Sequence, residues 1–144
     1  DFVVVALVDA DPQVVGSTVA GLEVEPTDRL EAVVAETAAT IARTQILPAA
    51  LRHAELLDEG GDGSGVKKLK VELDGLVDAL VDAILALEAV NEDSGKEGLE
   101  LAGYMRDEVI PAMDAVRAPA DRLERIVADD LWPLPKYSEM LFIK

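Results

Sequence analysis

The chain is 144 residues long, enough for one sizeable core, and half of its residues are hydrophobic. Those residues are mainly Ala, Val, Leu and Ile, with rings only at Phe2, Tyr104, Trp132, Tyr137 and Phe142, a composition that suits helix packed on helix. A formal charge of -16 argues against nucleic acid or anionic lipid as partners. With no cysteine there is no disulfide framework, thiolate metal site or cysteine nucleophile, and a reducing cytoplasm is the expected location.

Residues 1–25 form an N-terminal segment of uncertain structure. The run Phe2 to Val8 suits a short buried strand or a helical turn, and it lacks the basic lead of a signal peptide. Because the chain starts at Asp1 without a Met, the expectation is a piece of a longer polypeptide. Residues 26–144 are read as a helical bundle.

The first helix is expected over about residues 28–58. Thr27 or Asp28 would cap it, and Leu30, Val34, Ala38, Ile41 and Leu47 fall near one face. Pro48 lies inside it and should bend the axis without ending the helix, since Ala49, Leu51, Ala54 and Leu57 carry the pattern on. The Gly-rich run from Glu59 to Gly65 reads as a linker.

A second helix is expected over 66–90, its core stripe being Leu69, Leu73, Leu76, Leu80, Ile84 and Leu87. Ser94 and Glu97 have capping-box spacing and would start the third helix. Its stripe of Ala102, Met105, Val109, Met113, Val116, Ala120, Leu123 and Val127 runs through Pro111 and Pro119 to about Asp130. One long bent helix is the first reading, two helices sharing a kink the alternative.

Residues 131–144 hold Trp132, Tyr137, Leu141 and Phe142, and Pro133 and Pro135 forbid further helix. An apolar strip of that kind must dock on the bundle or on another surface. The fold class expected is therefore all-α: an antiparallel bundle of three long helices, two of them Pro-kinked, plus a docked aromatic C-terminal tail.

No catalytic, cofactor-binding or metal-binding residue stands out. Asp74, Asp78 and Asp82 follow at four-residue steps along an exposed face, and no Glu-x-x-His pair of a di-metal bundle occurs. His53 has Glu55 nearby but no second His, which suggests a surface or helix-end role. Ser17, Ser64, Ser94 and Ser138 lack an activating partner in sequence and suit caps and turns. Gly60 to Gly65 lacks the Lys-Ser/Thr ending of a phosphate loop, and Met105 and Met113 are read as core.

Two segments say more than amphipathicity requires: Ala42-Arg-Thr-Gln-Ile-Leu-Pro-Ala-Ala50 and Met105-Arg-Asp-Glu-Val-Ile-Pro-Ala-Met-Asp-Ala-Val-Arg117. With Ala120-Asp-Arg-Leu-Glu124 and the run Leu131 to Phe142, they make residues 28 to 142 resemble the C-terminal helical domain of type III glutamine synthetases. That resemblance implies a family joining ammonia to glutamate at the expense of ATP, with a catalytic barrel upstream that binds magnesium or manganese. Its active site would be shared between neighbouring subunits of a ring. None of that machinery matches residues here. For this chain the resemblance implies no cofactor and a structural, assembly or regulatory role. Its partners would be the catalytic domain, neighbouring subunits or further copies of itself. The residues expected to serve that structure or interface are Pro48, Arg106, Asp107, Pro111, Met113, Trp132, Pro133, Pro135, Tyr137, Leu141 and Phe142. A stand-alone helical interaction module is the alternative.

Overall fold

A computed structural model describes residues 27–92 and 95–136, and every regular element among them is helical. The first rod comprises α1 (Thr27–Ile41), a π-helical turn (Ala42–Ile46) and α2 (Leu47–Glu59). The second rod is the uninterrupted α3 (Ser64–Asn91). The third comprises α4 (Gly98–Tyr104), another π-helical turn (Met105–Val109) and α5 (Ile110–Leu123). The expected readings of residues 1–25 fall outside the described residues.

Cross-rod bonds give the direction of each rod. Climbing α3, Lys70, Glu88 and Asn91 meet Asp58, Arg43 and Ala32 in turn, so the first rod descends as α3 rises. Glu72 and Val90 likewise meet Arg122 and Tyr104 on the third rod. Both outer rods are antiparallel to α3, which forms the spine of a three-rod bundle.

The core is aliphatic. Leu73, Leu76, Leu80, Ile84 and Leu87 of α3 are buried as the stripe predicts, whereas Leu69 is 48% exposed. Met105, Val109, Val116, Leu123 and Val127 are buried on the third rod, with Met113 and Ala120 packed at their edge. The first rod departs from expectation. Its core-facing edge is Ala35, Ala39, Ala42, Ile46, Ala49 and Ala50, while Leu30 and Val34 are each 53% exposed. The inward edge of this rod is thus mostly alanine, with Ile46 its one large side chain, and Leu30 and Val34 face out.

Pro48 and Pro111 each follow a π-turn, whereas Pro119 lies buried within α5 with no π-turn before it. Pro48 and Pro111 stand in the first turn of α2 and α5, immediately after five residues closed by i→i−5 bonds, Leu47 N–H to Ala42 O and Ile110 N–H to Met105 O. A proline ring inside a helix presses on the carbonyl four residues back and offers it no donor. Widening the preceding turn relieves that contact and re-routes the bonds, so helix continues on both sides of the ring. Thr37 and Thr44 also turn their hydroxyls back onto the carbonyls of Val33 and Thr40, each at 2.7 Å.

Both ends of the third rod differ from expectation. α4 starts at Gly98 with Glu97 as its N-cap and no side-chain cap bond, so Glu97 does not occupy the third helical position that a capping box requires. Gly95 and Gly98 have φ of 65° and 57°, left-handed conformations that break the right-handed path until the second glycine is passed. Ser94 lies outside the described residues. At the far end α5 stops at Leu123 rather than near Asp130. Tight bonds from Arg125 N–H to Arg122 O and Ile126 N–H to Leu123 O replace the regular ladder, yet Val127 remains buried.

Candidate functional site

The residues expected from the sequence to serve structure or interface lie on the first rod, the third rod and the tail, and the structure separates them. Pro48 and Pro111 mark the two π-turns, Pro48 half-buried and Pro111 exposed. Met113 packs against the core. Arg106 and Asp107 lie in the second π-turn, paired to each other in bidentate fashion at 2.7 and 2.8 Å with both side chains in solvent. The hydrogen bonds from Arg106 hold the Asp107 carboxyl below its usual range.

After α5 the chain turns, and Leu131, Trp132 and Leu134 pack against the core while Pro133 and Pro135 are exposed. The indole N–H of Trp132 is buried without a hydrogen-bond partner. Lys136 pairs with Asp129. Tyr137, Leu141 and Phe142 fall outside the described residues.

Several contacts were not legible in the sequence because they depend on which rods are neighbours. Arg43, at the place in the first π-turn that Arg106 takes in the second, reaches α3 and donates to both Glu88 oxygens at 3.0 and 2.6 Å. Tyr104, just before the second π-turn, donates from its hydroxyl to Val90 O at 2.9 Å, and Lys96 lies 4.8 Å over its ring. The two π-turns thus flank the same last turns of α3. The segments Ala42 to Ala50 and Met105 to Met113 share a pattern: Arg second, Ile or Val fifth, then an aliphatic residue, Pro and Ala. Comparing them with each other, and not only with a family, would have exposed the shared turn.

One cleft opens beside this layer, about 320 Å³ in volume, between α1 and the end of α3. Its floor is apolar, built from Ala35, Ala39 and Leu87, and Glu36, Glu88 and Glu92 stand around it. Asn91 at its edge donates to Ala32 O at 3.1 Å, while its side-chain oxygen is buried without a partner. The cleft suits an apolar group with cationic neighbours better than an anion.

Other candidate groups are dispersed. Asp74, Asp78 and Asp82 are exposed along α3, as their spacing predicts. Among the described residues no three His, Asp or Glu side chains converge as a metal would require. His53 is not at a helix end: it sits within α2, half-buried, with Nδ1 unpaired. Ser64 begins α3, but Gly63 holds the cap position. No helix among the described residues is long and apolar enough to cross a membrane.

No protein-family model matches this chain, and no solved structure matches it. Two curated proteins do. A type-3 glutamine synthetase of Dictyostelium discoideum is 44% identical over 71 residues, 47% of this chain and 10% of the relative. A glutamine synthetase of Bacteroides fragilis is 36% identical over 58 residues, 40% of this chain and 8% of the relative. The chain therefore matches about a tenth of the length of these relatives. Over nearly half its own length it is homologous to part of a type-3 glutamine synthetase, which makes it a glutamine synthetase-related domain.

Proposed function

We propose that this chain is a non-catalytic, C-terminal helical domain of a glutamine synthetase, with a structural or assembly role. The observation that carries the proposal is the 44% identity over 71 residues to a type-3 glutamine synthetase. The packing supports it, because the buried side chains form one aliphatic set and the carboxylates stand apart in solvent. ATP and magnesium or manganese would be bound by the catalytic part of the longer enzyme. The partners of the domain are that catalytic part and neighbouring subunits, in the cytoplasm.

Two measurements test the proposal. The isolated chain with glutamate, ammonia, ATP and magnesium should form no glutamine above a blank, and clear turnover overturns the non-catalytic role. Deleting the corresponding region from a synthetase that carries it should change the size of the assembly in solution. An unchanged assembly with unchanged activity overturns the structural role.

A second reading, a stand-alone interaction module, is favoured by Leu30, Val33 and Val34. These are 53%, 58% and 53% exposed at one-turn spacing on α1. The reading frame upstream of Asp1 separates the two: a start codon supports the module, and a glutamine synthetase coding region supports the domain.

A further inference from the structure

The charges of α3 run against its own dipole. A helix carries partial positive charge at its N-terminus and partial negative charge at its C-terminus, so acids favour its start and bases its end. α3 has no acid in its first turn and no base in its last. Lys67, Lys68 and Lys70 crowd the start instead, while Glu88 lies near the end and Glu92 is the C-cap residue.

Neighbours in the same molecule answer only part of this. Lys70 pairs with Asp58, Lys67 lies 3.4 Å from Asp62, and Glu88 takes Arg43. Lys68, Glu36 and Glu92 have no ion pair among the described residues. Lys67 and Lys68 also flank Val71 at helical spacing, and Val71 is 72% exposed, an apolar residue set between two cations. The opposite end of α3 offers the complement: the cleft floored by Ala35, Ala39 and Leu87, each at most 4% exposed, beneath Glu36, Glu88 and Glu92.

One molecule cannot bring these features together, because the rigid helix of α3 holds Val71 and Leu87 about 24 Å apart. We propose that the cleft between α1 and the end of α3 is a docking site for the start of α3 of a second copy of this chain. Val71 of that copy enters over the alanine floor, and its Lys67 and Lys68 meet the glutamates at the rim. The contact is head-to-tail, so it builds rings or open chains of copies rather than a symmetric pair. The net charge of -16 opposes association at long range. At about 0.1 M salt, however, charges more than about 10 Å apart are largely screened while close contact pairs are not. This inference rests on the chain's own surface and not on the glutamine synthetase reading.

The test is a charge swap read by analytical ultracentrifugation of the whole chain. Association should rise with protein concentration near physiological salt and weaken about tenfold or more near 1 M salt. Lys67→Glu with Lys68→Glu, and separately Glu36→Lys with Glu92→Lys, should each weaken self-association by a similar factor. An equimolar mixture of the two variants should restore it. Circular dichroism checks that both are folded. Should either fail that check, Lys68→Gln and Glu92→Gln take their place, and each should weaken association.

The chain has no cysteine, so cross-linking gives an independent readout. Proteins carrying Lys68→Cys and Glu92→Cys should oxidise together into a mixed dimer faster than either does alone. A wild-type chain that stays monomeric into the millimolar range overturns the proposal. So does association that the substitutions leave unchanged, or a mixture that associates no better than its components.

Discussion

The π-turn before Pro111 contains one residue more than an α-helix needs, and that residue can be removed. Deleting Glu108, which is exposed, leaves Ile110 four positions after Met105 instead of five, so the same N–H and carbonyl close an ordinary α-turn. α4 and α5 then keep their faces toward α3. Pro111→Ala must accompany the deletion, because the ring would otherwise press on the carbonyl of Arg106. That substitution costs about 0.4–1 kcal/mol through the added freedom of the unfolded chain. A loss near 1 kcal/mol lowers Tm by about 3–4 °C for a body of this size. Deleting the exposed Ala79 from α3 is the control, since that helix has no spare residue. Everything on one side of the cut turns by about 100° and shifts by about 1.5 Å. Leu80, Ile84 and Leu87, now at most 1% exposed, would then leave the core. Each costs about 1.5–3 kcal/mol on return to water, so their loss rivals a whole domain stability of about 5–15 kcal/mol. Thermal and urea melts followed by far-ultraviolet ellipticity should show a cooperative transition for the first deletion and none for the second. Equal midpoints would refute the assignment of a spare residue to the π-turn.

Four further outcomes follow from the same packing. Leu80→Ala, at a fully buried position in mid-α3, should cost about 3–5 kcal/mol in urea unfolding, and a loss below about 1 kcal/mol would mean the site is not enclosed. Tyr104→Phe removes the 2.9 Å bond to Val90 O and should cost about 1 kcal/mol in the same assay, whereas no change would mean water serves that carbonyl equally well. Trp132→Ala should cost about 1.5–3 kcal/mol from lost apolar packing, because the indole N–H has no bond to lose, and an unchanged melt would mean that the tail does not hold the bundle. Arg106 holds the Asp107 carboxyl below its ordinary 3.8, so the pair's contribution is complete above that value and fades as pH falls through the lower folded one. An NMR titration of Asp107 should move up in Arg106→Gln, and matching midpoints would show that Arg106 exerts no hold.

What the sequence disclosed, and what it withheld, follows from the range of each interaction. The stripe of α3 was readable because every third or fourth residue is a large aliphatic, and burial of Leu73 through Leu87 follows from helical geometry alone. The first rod misled the same reasoning. There the pattern of larger residues marks Leu30 and Val34, but the packed bundle buries Ala35, Ala39 and Ala42 instead, a choice made only once the other rods are present. The end of α5 was hidden for a related reason: Val127 stays in the apolar stripe and in the core while its backbone has already left the helix. Capping-box spacing at Ser94 and Glu97 was a local signal overridden by two local facts, the left-handed turns at Gly95 and Gly98.

The π-turns sit between these cases. A proline within a helical pattern announces a disturbance but not its form, since a kink, a break or a wide turn each removes the clash. Here the form is the same at Pro48 and Pro111, and the arginine second in each turn has two different fates. Arg43 finds Glu88 on α3, whereas Arg106 keeps to Asp107 at the surface. A repeated local motif thus fixes the turn, and the neighbouring rods decide what its side chains reach. For that reason the two turns are alike in backbone and unlike in what they hold: one ties the first rod to α3, and the other leaves its ion pair on the surface.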